Sequence, residues 1–291
     1  MLLRLPTRNI DFPRRPLLMS IVNVNDDSFS GDGSLDLDEC LAQTRAHIEA
    51  GADIIDVGAE SARTNREAID LAEEIRRFEG FFEAWPELWK SMEPRDAEQV
   101  WPPILSANTW RPEVAEACLG AGAEVLNDMG GLHSPENAEL CARYGASLLI
   151  MHNPGQVKVA ATDQHYDDIM VELKGFFSDR VQRATAAGLS KQHLILDPGI
   201  DFAKQKDANL TLIARLGELS REFPHPWLLP VSRKTVIGEV LDQLDPRDRD
   251  PGTIALITAG MQGGASIFRV HNTLAAWSSI KVLHALETSE K

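Results

Sequence analysis

Short apolar runs alternate with helix-patterned segments along nearly the whole chain, and this alternation limits the fold more than any other feature. The runs fall at 17–24, 53–59, 103–109, 125–129, 147–152, 193–198, 227–232 and 266–271. Helical patterns fill the intervals, for instance 36–50, 112–120, 135–144, 166–187 and 272–286, and several end at Gly or Ala-Gly, as left-handed C-caps favour. Strands that alternate with helices predict βα units on a parallel sheet. Eight units without a GxGxxG turn after the first strand predict an α/β fold, a single (β/α)8 TIM barrel over residues 1–291, rather than an open doubly wound sheet. The irregular stretch 79–102, with Trp85, Trp89 and Trp101, is expected to lengthen the second helix and its return loop outside the barrel.

Composition narrows the class. A formal net charge of −15 opposes non-specific nucleic-acid binding. The longest apolar run falls far short of the roughly 20 residues that span a bilayer, so no membrane association is expected. The Arg- and Pro-containing start carries no signal-peptide pattern, and Cys40, Cys118 and Cys141 are widely spaced. Together these predict a cytoplasmic protein with isolated reduced thiols.

A barrel of this kind builds its site at the C-terminal ends of its strands. Here those ends carry Asn23, Asp56 with Glu60, Asn108, Asn127 with Asp128, His152, Asp197, Ser232-Arg233-Lys234, and Arg269 with His271. Any one of them reads equally well as a turn or helix cap. A polar side chain at every strand end points to a site. Cations at the ends of buried strands cost desolvation unless an anion or polar ligand stabilises them. An acidic chain with a local basic rim therefore suggests a phosphorylated substrate. Asp197, Asn127 and Asn108 suit the donor and acceptor edges of a flat heterocycle, and Lys234 suits the ring or the incoming group. Arg269 and His271 suit a pyrophosphate. Asn23 is a candidate oxygen ligand for Mg²⁺ carried by that pyrophosphate. The Gly-, Ser-, Asp- and Asn-rich loops 25–35 and 60–66 read as lids or as solvated connections.

From Ser20 to about Leu286 the chain resembles the dihydropteroate synthase family. The carriers are Ile21-Val22-Asn23-Val24 with Asp27-Ser28-Phe29-Ser30, then Gly51 to Ser61, Leu126-Asn127-Asp128 and Met151-His152. Leu196-Asp197-Pro198-Gly199-Ile200, the Ser-Arg-Lys run and Arg269-Val270-His271 complete the set. The resemblance implies a pterin-binding TIM barrel that joins a dihydropterin methyl diphosphate to p-aminobenzoate and releases pyrophosphate. It implies Asn127, Asp197 and Lys234 around the pterin, and Asn23, Arg63, Arg269 and His271 around the diphosphate and its Mg²⁺. It places Phe202, Lys234 and Thr235 at the aminobenzoate pocket, makes Lys234, Arg269 and Asp197 the catalytic set, and leads one to expect a homodimer. The apolar stretches Leu256–Met261 and Leu274–Trp277 are candidates for its interface or for the core.

The chain departs from the family pattern at several places. Asn108 stands where an Asp is usual, so restoring the acid is expected to raise turnover if the missing charge limits it. Ala62 and Thr64 replace Thr and Pro beside Arg63, and the first loop's acid is displaced to Asp32. Asp201-Phe202-Ala203-Lys204 replaces Gly-Phe-Gly-Lys, and Asn272 replaces an Asp. Two other readings share these residues: a non-catalytic pterin-binding paralogue and a pterin-dependent methyltransferase. The diphosphate cations argue against the second.

Overall fold

The chain opens with a hairpin that the sequence pattern does not reveal. In the computed structural model, which describes residues 1–25, 33–61, 67–155, 157–159 and 164–289, β1 (Leu2–Arg4) pairs antiparallel with β2 (Asn9–Asp11). Three-residue strands among Arg and Pro are too short to show a period-two signal. The apolar residues in and beside them, Leu3, Leu5, Ile10 and Phe12, are nonetheless buried, packed against Leu17, Ile54, Ile104, Val125, Ile195 and Ile267.

Those partners come from the barrel strands. They are β3 (Leu17–Asn23), β4 (Ile54–Gly58), β5 (Ile104–Asn108), β6 (Val125–Asp128), β7 (Ser147–Met151), β8 (Leu194–Asp197), β9 (Leu228–Leu229) and β10 (Ile267–Val270). All pair in parallel, in the order β8-β7-β6-β5-β4-β3-β10-β9. A parallel bridge between Leu196 and Trp227 closes β8 onto the approach to β9. This is the (β/α)8 barrel expected from the alternation.

Helices α1 (Leu37–Glu49), α2 (Leu71–Lys90), α3 (Pro112–Gly120), α4 (Glu136–Tyr144) and α5 (Ile169–Ala186) follow β3 to β7. After β8 come α6 (Lys206–Ala214) and α7 (Leu216–Glu222). After β9 come α8 (Thr235–Leu241) and α9 (Asp250–Gln262), and α10 (Thr273–Ser289) follows β10. The second helix does lengthen through the Trp-rich stretch, with Phe81 stacked on Trp85 at 6.3 Å. Two expectations need correcting. The units after β8 and β9 each carry two helices, not one. The strand expected at 227–232 is only two residues long, because Pro230 has no N–H for the ladder and Val231 N–H turns back to Leu229 O at 3.2 Å.

Side-chain parity decides what faces the lumen. Successive residues of a strand point to opposite faces. Leu18, Val22, Ile55, Val57, Leu105, Leu126, Leu196 and Phe268 pack outward beneath the helices. The alternate set, Leu17, Ile54, Ile104, Val125, Ile195 and Ile267, packs inward over the hairpin. Two positions further along the same inward rows lie Asp56, Ser106, Asn127, Asp197 and Arg269, and Asn108 lies two beyond Ser106. The lumen is thus apolar at one end and polar at the other. Cys40, Cys118 and Cys141 are buried free thiols, with burial pushing each thiol pKa up. Among the described residues no helix is long and apolar enough to cross a membrane.

Candidate active site

The polar layer is organised by Asp56, which no solvent reaches. Its carboxylate accepts from Ser106 Oγ at 2.6 Å, Asn108 Nδ2 at 3.2 Å, Asn127 Nδ2 at 3.1 and 3.2 Å, and Arg269 Nε at 2.7 Å. A buried carboxylate is tolerable only with such a set of donors and a countercharge. Because a carboxylate only accepts, it also fixes both amides with Nδ2 toward Asp56. Asn108 Oδ1 is then a buried acceptor with no hydrogen-bond partner among the described residues. Arg269 uses Nε on Asp56, and its terminal amino groups make no hydrogen bond among the described residues. In the sequence Asp56 is one strand-end acid among several, and Ser106 is hidden inside an apolar run.

Opposite this hub stands Asp197 at the end of β8. Burial pushes its carboxyl up to about 6, against the opposing pull of the Gly199 N–H (2.7 Å) and of Lys234, Lys204 and Arg269. Gly199 has φ +69°, and a Cβ there would lie 2.2 Å from His152 O, so this turn requires glycine. Lys234 Nζ donates to Ile200 O at 2.9 Å and lies 4.8 Å from the Phe202 ring centre; burial lowers its pKa. Phe202 and Met129 pack on the inner core and offer flat apolar surface at the mouth.

Behind this wall is a second lysine that the sequence did not flag. Lys204 Nζ donates to His152 Nδ1 (2.8 Å), Gly199 O (2.9 Å) and Phe202 O (2.9 Å), which accounts for all three ammonium protons. Burial lowers its pKa to about 7, and burial together with Lys204 drives His152 down to about 2. His152 is therefore a neutral acceptor that helps hold the turn after β8, not a titrating group.

The Ser-Arg-Lys run divides its tasks. Ser232 Oγ accepts the His271 N–H at 3.1 Å and lies 2.9 Å from His271 Nδ1, so it orients that ring. Arg233 pairs with Asp250 at 2.8 and 3.2 Å, and Asn272 donates to the same carboxylate at 2.8 Å. Arg233 thereby ties β9 to the start of α9, while Lys234 turns toward Ile200 and Phe202. Thr235 follows at the exposed start of α8.

Asn23 pairs in register with Gly58, which pairs with Asn108, and Asn23 Oδ1 lies 3.7 Å from where a Gly58 Cβ would sit. It therefore stands on the same rim. Among the described residues no group of three or more His, Cys, Asp or Glu is placed to hold a metal. One amide oxygen on the rim suits only a cation that brings most of its oxygen ligands with it, as Mg²⁺ on a diphosphate does.

Ala62, Arg63 and Asp32 lie outside the described residues. The flanks of segment 62–66 are nevertheless tied down. Arg111 bridges Glu60 at 2.6 Å and Glu74 at 2.9 Å. Lys158 reaches Glu60 at 2.9 Å and Glu67 O at 3.3 Å, and Thr109 Oγ1 donates to Glu74 at 2.8 Å. Asn25, at the start of the first loop, is buried and donates to Gly58 O at 3.4 Å.

Comparison with known proteins agrees with this geometry. The model of a family described as pterin binding enzyme matches residues 19–271. The chain is 36% identical to the dihydropteroate synthase of Synechocystis sp., over 95% of this chain and 92% of the relative. It is 34% identical to that of Escherichia coli, over 93% and 91% respectively. Among solved structures, dihydropteroate synthase of Yersinia pestis with a sulfonamide drug complex superposes with a TM-score of 0.88 at 32% identity, covering 99% of this chain and 100% of that one. The Thermus thermophilus enzyme in complex with 4-aminobenzoate gives 0.83 at 32%, covering 98% and 100%.

Proposed function

The chain belongs to the dihydropteroate synthase family of pterin-binding enzymes, and on that premise we propose how its residues divide the reaction. The substrates are a dihydropterin methyl diphosphate and p-aminobenzoate, and the products are dihydropteroate and pyrophosphate. The reading treats residues 1–291 as one pterin-binding domain. A homodimer belongs to the same reading, and the exposed Leu274, Val282 and Leu286 of α10 are apolar surface available to it.

One observation carries the assignment. Buried, underused acceptors (Asn108 Oδ1 and the Asp197 carboxylate) converge with cations (Lys234, Arg269) above a floor of apolar side chains. A pterin supplies what these groups lack: ring N–H donors for Asp197 and Asn108 Oδ1, a C=O edge for Lys234, and a flat face for Phe202 and Met129. Asn127 completes the edge. Arg269, held at Nε by Asp56, presents its two remaining amino groups to the diphosphate, and His271 and Arg63 are assigned to the same group.

The carbon–oxygen bond to the diphosphate breaks with its electron pair on the departing oxygen. Arg269, His271 and Arg63 stabilise the charge that develops there. The arylamine nitrogen then attacks the pterin-stabilised carbocation and loses a proton. Phe202 and Thr235 border its approach. Asn23 would hold a Mg²⁺ carried by the diphosphate, which would neutralise further charge on the leaving group.

Asn108 bears directly on rate. Its acceptor is retained relative to the family's Asp, and only the charge is missing. Asn108→Asp is expected to raise kcat several-fold by stabilising the pterin cation. The same change places a second carboxylate about 3 Å from Asp56 and should cost on the order of 1–2 kcal/mol of stability. Steady-state kinetics and urea denaturation measure both, and a kcat at or below wild type would sink the charge explanation.

The reading as a whole is tested by supplying the purified protein with Mg²⁺, dihydropterin methyl diphosphate and p-aminobenzoate. Stoichiometric pyrophosphate and dihydropteroate are expected. Pyrophosphate without dihydropteroate would locate a defect at the acceptor side. Pterin binding with no release would make the chain a binding protein.

A further inference from the structure

Asp201 sits in a backbone conformation that a residue with a side chain avoids. Its φ is +65°, in the left-handed region, at one of the two positions where the family pattern carries glycine. Such a conformation persists only where its surroundings enforce it. Asn209 on α6, 1% exposed, does so from both sides: Asp201 N–H donates to Asn209 Oδ1 at 3.0 Å, and Asn209 Nδ2 donates to Asp201 Oδ1 at 3.2 Å.

The conformation aims the Asp201 carboxylate at the main chain just beyond Lys234. It accepts the N–H of Thr235 at 2.5 Å and of Val236 at 3.3 Å, the first amides of α8. Lys234 is the N-cap residue of that helix, and a lysine side chain cannot accept from these amides. The cap instead comes from 34 residues earlier in the chain. The residues on either side of Asp201 hold the other end of the same lysine: Ile200 O accepts from Nζ, and the Phe202 ring lies against it. Three consecutive residues thus grip Lys234 at its ammonium and at the backbone that follows it.

We propose that Asp201 is a positioning residue for Lys234, fixing through the α8 amides where the ammonium stands in the pterin site. The proposal rests on the pterin-site reading above and adds to it a residue at which this chain departs from the family pattern. It also has an electrostatic consequence. The charged groups that face Lys234 are Asp201, Asp197, Arg269 and Lys204. Neutralising Asp201 removes one of the two anions that face Lys234, so Lys234 should lose its proton at lower pH.

The test uses the full-length protein with Asp201→Asn and Asp201→Gly. Asparagine tolerates the left-handed conformation and keeps one acceptor for the α8 amides, at the loss of one of the three hydrogen bonds, so Asp201→Asn should fold with a Tm only a few degrees lower. The pH at which Lys234 becomes reactive to a small amine-acylating reagent, followed by peptide mass spectrometry, should fall by about one unit in Asp201→Asn, as expected for a lost neighbouring charge. The alkaline limb of kcat/KM should move with it. Asp201→Gly loses both cap and charge, and its KM for the pterin diphosphate should rise about tenfold, about 1.4 kcal/mol of binding, with kcat less affected. Unchanged Lys234 reactivity in Asp201→Asn would overturn the proposal, as would a lower Tm with a flat pH profile. The labelling needs no turnover: a shifted lysine in a protein that binds no pterin would refute the functional reading and leave the Asp201–Lys234 coupling in place.

Discussion

Arg269→Ala is expected to lower the free energy of unfolding by about 3 kcal/mol and to abolish detectable synthesis of dihydropteroate. Arg269 is the countercharge of Asp56, which is fully buried, while the guanidinium is about one-fifth exposed. Removing one partner of a buried pair strands the other charge, at a typical cost of about 3–5 kcal/mol, and the partial exposure of Arg269 argues for the lower end. Ser106, Asn108 and Asn127 would remain as neutral donors and soften the loss. The double variant Asp56→Asn/Arg269→Ala, compared with Asp56→Asn and Arg269→Ala alone, separates the two roles. It removes both charges, so it should recover most of the stability yet stay inactive, because no guanidinium meets the leaving group. Urea denaturation of the four proteins in this cycle gives the coupling, and additive losses in the single variants would show that the pair is not a unit.

Asp197→Asn should do the opposite to stability while also costing activity. Burial raises the folded-state carboxyl to about 6, above its ordinary value of 3.8. The folded protein therefore holds a proton at Asp197 more tightly than the unfolded chain does. Ionisation at Asp197 lowers stability, with the full cost present above pH 6, falling as pH drops and gone below the ordinary value. The difference corresponds to about 3 kcal/mol at pH 8. The substituted amide would keep an acceptor for the Gly199 N–H without the charge, so the variant should unfold later than wild type at pH 8, with the gap closing toward pH 4. Asp128, also raised to about 6, contributes its own slope to both proteins and cancels in the comparison. Activity should fall about 100-fold in kcat/KM, because a charged acceptor for the pterin edge is lost. In wild type, kcat/KM should decline as pH falls through about 6 as the acceptor protonates. A variant no more stable than wild type at pH 8 would show that the carboxylate is comfortable where it sits.

The barrel was legible in the sequence because its strands are buried on both faces and read as continuous apolar runs between helical periods. The polar strand ends were legible for the same reason: they interrupt those runs. What each end does was less so. Asp56 sits mid-strand in an apolar stretch, and only barrel closure brings Arg269, 213 residues later, onto it. Arg233 and Lys234 are neighbours of like charge, and composition cannot separate them. The left-handed turn at Arg233, φ +58°, sends one to Asp250 and leaves the other to the pocket. Asp201 appeared only as a departure from a motif and Lys204 only as part of one, since their partners Asn209 and His152 have no sequence signature that pairs them with the loop.

The hairpin under the barrel sets the traffic through it. With Leu3, Leu5, Ile10 and Phe12 filling one end of the lumen, the polar end is the doorway for everything that enters or leaves. A chamber with a single doorway is a queue. On the reading proposed above, the pterin held at Asp197 and Asn127 and the arylamine have to come in by that one opening. Their fused product has to clear the same opening before the next pterin can take its place.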